Sequence, residues 1–163
     1  MTVRRPFLSL VAETAGLVSE SGGAFSGEAA AHVHLASATG TRPGEKRRYV
    51  ALPPRRVEAI FPFGGPTVSG VEPTAGAVAD VLRARLDLFS TRLPLGETPV
   101  PVLSAAAVAA HLLAQGGLSL GLLGIMLRLV GPRSIDVDEV REILKAARQG
   151  ERFQPLLELL DVA

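Results

Sequence analysis

Between Glu97 and Arg128 the chain carries no formal charge, and Val100 to Leu127 is mostly Ala, Leu, Val and Gly. So much apolar surface has three destinations: a bilayer, the protein's own core, or a partner. A membrane-spanning helix needs about 20 consecutive apolar residues. Gln115-Gly116-Gly117 divides this stretch into two arms, Ser104–Gln115 and Leu118–Val130, each too short to cross a bilayer alone. The expectation is a helical hairpin buried in protein. Its second arm (Leu118, Leu120, Leu122, Leu123, Ile125, Met126, Leu127, Leu129, Val130) is apolar on nearly every side. One packed face does not satisfy such a helix, so it is expected deep in a core or under a partner subunit.

At 163 residues the chain is long enough to bury a core. Hydrophobic residues make up 47% and aromatic residues only 4%, so that core must be built from Leu, Val and Ala. A net charge of +1 gives no global attraction to nucleic acid or to an anionic membrane. With no Cys, disulfides, thiolate catalysis and Cys-ligated metal sites are excluded. Phe7–Ala12 is a short apolar run closed by Glu13, without the cleavage pattern of a signal peptide, so a cytoplasmic location is the expectation. Lys occurs only at Lys46 and Lys145, an Arg bias expected of a GC-rich bacterial genome.

Patterning predicts an α+β chain: an N-terminal antiparallel β-sheet followed by a C-terminal bundle of four to five short helices. Phe7–Val18, Ala29–Thr39 and Lys46–Ile60 alternate apolar with polar or small residues, separated by Gly-rich turns, so residues 1–61 read as a β-rich region. Ala29-Ala30-Ala31 suits a helix equally well. Residues 62–76, with Pro62, Gly64, Gly65, Pro66, Gly70 and Pro73, read as a connector, and residues 77–163 as a helical region. There Thr74 reads as a cap for a helix ending at Leu93-Pro94, and Gly96, Pro99 and Pro101 as a second connector. A further helix opens at Ser134 or Asp136 and stops at Gly150, and a last one starts near Pro155.

Three groups invite function. The first is apolar: Leu118, Leu122, Leu123 and Met126 in the second arm, with Leu156, Leu159 and Leu160 in an LxxLL-like terminal helix, are the candidate contacts for a protein partner or a second copy. The second is basic: Arg42, Lys46, Arg47, Arg48, Arg55 and Arg56, with Tyr49 available to stack on a base, offer phosphate contacts. The third is His32-Val33-His34, which on a strand would place two imidazoles on one face to share an ion. The spacing is similar to half of the cupin metal motif but lacks its following Glu. No phosphate-cradling Gly pattern and no nucleophile elbow occurs. Asp136, Asp138, Glu139, Glu142 and Glu151 read as helix-capping and solvated carboxylates.

Gly16 to Phe25 resembles the first hairpin of Roadblock-type domains, which implies a dimerising scaffold for small GTPases. It covers ten residues without a family motif and assigns no membership. The reading that follows is a non-catalytic structural or adaptor subunit, without a cofactor. Nucleic-acid binding through Arg42–Arg56 is the alternative, and a metal-dependent enzyme at His32/His34 a third. Membrane association is not expected.

Overall fold

The computed structural model describes residues 6–51 and 54–162. The chain is mixed α+β: α1 (Phe7–Glu20), β1 (Ala24–Ser26), α2 (Gly27–Thr39), β2 (Glu58–Ile60), β3 (Glu72–Pro73), α3 (Ala77–Ala84), α4 (Leu86–Phe89), β4 (Ser90–Leu95), β5 (Thr98–Leu103), α5 (Ala105–Gln115), α6 (Leu118–Val130), α7 (Val137–Ala146) and α8 (Gln154–Val162). The five strands form one sheet in the order β3-β2-β1-β5-β4. β1 runs antiparallel to β2 and parallel to β5, and β4–β5 is an antiparallel hairpin.

The α+β class holds, but the arrangement differs from a sheet placed wholly before a helical bundle. Phe7–Val18 and Ala29–Thr39 are helices, and within Lys46–Ile60 only Glu58–Ile60 is a strand among the described residues. Burial explains the misreading of α2. Every residue from Ala29 to Ala36 is buried, so no polar stripe marks a helical period. β3 lies inside the expected 62–76 connector, and β4–β5 replaces the second one. Pro94, Pro99 and Pro101 read as breakers, yet Pro94 lies on the edge strand β4. β5 meets β1 only at Phe25↔Val102, so Pro99 and Pro101 sit beyond that pairing, where no ladder donor is needed. The expected helix from Thr74 breaks at Arg85 and gives way to β4 at Ser90. Gly76, not Thr74, precedes α3, and the Thr74 hydroxyl instead bonds that of Ser26. The Roadblock-like segment is a helix-to-strand joint, with Gly16–Glu20 closing α1 and Ala24 opening β1.

The hairpin of apolar helices forms as read. Ser104 caps α5 by accepting the Ala107 amide at 3.3 Å, and Gly116 and Gly117, at φ +66° and +57°, turn the chain into α6. Asp136 caps α7 by accepting the Glu139 amide at 3.1 Å. Arg83 ties the 62–76 segment to α3: its Nε donates to Phe61 O and its Nη2 to Thr74 O, each at 2.9 Å, with the guanidinium 4.8 Å over the Phe63 ring. One continuous hydrophobic core runs from Leu8 to Leu156. Among the described residues no helix is long and apolar enough to cross a membrane.

Candidate functional site

Leu123, Met126 and Leu127 insert into the core, so α6 is not buried all round. Beside that core face, Leu118, Leu122, Ile125 and Leu129 follow a 4-3-4 spacing that aligns side chains in one row along a helix, with Leu122 and Ile125 half-buried against the core. Leu118 is 70% exposed and Leu129 43%. Beside this row a groove of about 450 Å³ runs between α6 and α2, floored by Leu118, Leu122 and Ile125 and edged by Glu28, His32 and Arg55. Exposed Gly121, without a side chain, leaves the groove wall low.

At the Leu118 end the groove opens into a polar pocket of about 350 Å³ that shares Glu28, Arg55, Leu118 and Ser119 and adds Arg56, Glu58 and Gln115. Arg55 pairs with Glu28 at 3.4 Å, and Arg56 with Glu72 at 3.2 Å and Glu58 at 3.7 Å. Glu58 packs over the first residue of α2. Gly27 sits there at φ +58°, and a Cβ at this position would collide with the Glu58 carboxylate and come within 3.8 Å of His111 Cε1. Burial holds the Glu58 carboxyl above its ordinary range, against the pull of Arg56.

Behind Glu58 a short relay reaches the interior. The Ser119 hydroxyl donates to Gln115 Oε1 at 3.1 Å, and the Gln115 amide donates to His111 Nε2 at 3.3 Å. The neutral imidazole then carries its proton on Nδ1, which is buried without an acceptor. Desolvation pushes His111 down to about 4, so it stays uncharged at neutral pH. Sequence patterning gave no sign of this cluster, because Gly27, Glu58 and His111 converge only through the β1–β2 pairing and the return of α5.

The structure separates the two histidines predicted to share an ion. On α2 they point to different partners: His32 Nδ1 lies 2.7 Å from the Tyr49 hydroxyl, and His34 Nε2 donates to Leu103 O at 2.9 Å. A two-residue step, which shares a face on a strand, turns about 200° around a helix. Burial lowers both imidazoles, His32 to about 4. Among the described residues no group of three His, Cys, Asp or Glu is placed to hold a metal.

The other predicted residues divide. Leu123, Met126 and Leu156 belong to the chain's own core, and half-buried Leu159 lies 3.6 Å from where a Gly124 Cβ would fall, closing α8 over α6. Leu160 is also half-buried. Of the basic group, Arg48 pairs with Glu45, and Arg55 and Arg56 with the carboxylates above. Arg42 and Lys46 make no ion pair among the described residues. Tyr49 is 6% exposed, so its ring offers no surface for a base. No family model, curated protein or solved structure matches this chain.

Proposed function

We propose that the protein is a non-catalytic structural or adaptor subunit whose assembly contact is the outer side of α6, pairing antiparallel with the same helix of a second copy. The observation that carries this reading is the row Leu118, Leu122, Ile125 and Leu129, exposed at its Leu118 and Leu129 ends and half-buried between them, with an apolar groove beside it. A 4-3-4 row is the seam that two packed helices share. Charge favours the antiparallel sense. Opposed helix dipoles attract across a twofold axis, whereas parallel ones repel. The nucleic-acid alternative has less behind it, since three of its six cations hold carboxylates and Tyr49 is buried.

The absence of Cys allows a direct test. In a mixture of Leu118→Cys and Leu129→Cys chains under mild oxidation, antiparallel pairing brings the two positions together, so the mixed disulfide forms faster than either homodisulfide. Equal, slow formation of all three species would contradict it.

A further inference from the structure

We propose that a second cleft, between the start of α1 and the Gly44–Arg47 loop, binds a small phosphorylated anion. The cleft is about 1060 Å³, room for a compact ligand with a carbon body. Phe7 and Leu8 give it apolar walls, and Lys46, Arg47, Arg55 and Arg56 give it cations. Arg55 and Arg56 are already held by Glu28, Glu58 and Glu72, whereas Lys46 and Arg47 pair with no carboxylate among the described residues.

Arg47 is the telling residue. Its guanidinium lies 5.7 Å over the Tyr49 ring, and its Nη1 is buried with no hydrogen-bond acceptor. That Nη1 is closed off from solvent, so an anion in the cleft reaches it only once the Arg47 side chain swings outward, which gives the N–H the acceptor it lacks. The two carboxylates that line the cleft, Glu45 and Glu72, are held by Arg48 and Arg56, so Lys46 and Arg47 leave it net positive. α1 begins there with Pro6 at its N-cap and no acidic residue in its first turn, so the positive end of the helix is not offset locally. The planar fork of Arg matches phosphate oxygens, and Lys46 adds a mobile charge. A walled cleft, with Tyr49 tied beneath Arg47 to His32, suits a small ligand rather than a strand of stacked bases.

The chain has a single Tyr and no Trp, so its intrinsic emission reports the residue under Arg47. Titrating the full chain with pyrophosphate and with glycerol phosphate, followed by Tyr49 fluorescence and by calorimetry, should give saturable binding that weakens as salt rises. Arg47→Met and Lys46→Met should each weaken it about tenfold or more, Arg47→Lys less, and Arg42→Met, outside the cleft, not at all. Circular dichroism melts establish that each variant is folded, and binding by the wild-type chain decides the matter whatever a variant does. The proposal is overturned if neither compound saturates the wild-type signal. Equal affinity in folded Arg47→Met and Lys46→Met overturns it too. So does an oligonucleotide that binds while pyrophosphate neither binds nor competes, which would assign the basic segment to nucleic acid.

Discussion

α5 and α6 are consecutive, similar in length and almost equally apolar, yet the fold treats them in opposite ways. All residues from Ala106 to Leu113 in α5 are buried, whereas α6 buries only Leu123, Met126 and Leu127. The difference lies in neighbours and side-chain size. α5 is rich in Ala, which lets other elements approach closely, and α2, α3, α6, α7 and β5 all pack on it. α6 is rich in Leu and packs on α2, α5 and α8, which leaves Leu118 and Leu129 exposed and Leu122 and Ile125 half-covered. Equal hydrophobicity thus identifies a core helix in one case and an available surface in the other.

The sharpest way to break this comparison is to place the same charge on each helix. Leu112→Asp in α5 buries an uncompensated carboxylate where no water reaches and should cost about 4 kcal/mol or unfold the chain. Leu118→Asp at the exposed start of α6 should change stability by no more than about 1 kcal/mol. Urea denaturation of the two variants measures both, and equal losses would erase the distinction.

A smaller effect is expected at the joint that positions the polar pocket. Gly27→Ala forces a side chain into positive φ and against Glu58, and should destabilise by about 1–3 kcal/mol. In a Glu58→Ala background the steric part should vanish while the backbone part remains, so the double-mutant cycle separates them.

The buried histidines give the comparison a pH axis, with His111 on α5 and His32 on α2. Each has a folded-state value of about 4 against an ordinary 6.5. Below pH 6.5 the unfolded chain takes up protons that the folded chain refuses, so stability falls as pH drops from 6.5 toward 4. The slope approaches about 1.4 kcal/mol per pH unit for each imidazole. Glu58, raised by burial, works in the opposite sense just above pH 4.5 and moderates the lower part of the fall. Thermal melts across this range should show the decline, and His111→Gln should flatten it. The smallest effect belongs to the exposed pair Arg55–Glu28: Arg55→Ala should cost less than about 1 kcal/mol.

What was legible in the sequence followed local chemistry. Asp136 and the Gly116-Gly117 turn act through neighbours in sequence, and each forms as read. What was not legible depended on tertiary covering. A helix buried on every side, such as α2, loses its period. Prolines mark a break only where a strand needs a donor, and β4–β5 needs none at those positions. The polar pocket was hidden because Gly27, Glu58 and His111 come from three distant segments. The apolar excess of α6 was plain, but which of its residues face the core was set by α2 and α5.

If the outer side of α6 is the assembly surface, the oligomeric state must depend on its exposed leucines. Sedimentation equilibrium of the wild-type chain and of Leu118→Asp, at equal concentration, decides between these outcomes. The prediction is a wild-type mass at or near twice 17.0 kDa and a Leu118→Asp mass of 17.0 kDa with an unchanged melting temperature. A wild-type chain that stays at 17.0 kDa up to high concentration, or a Leu118→Asp chain that associates as strongly as the wild type, would contradict it.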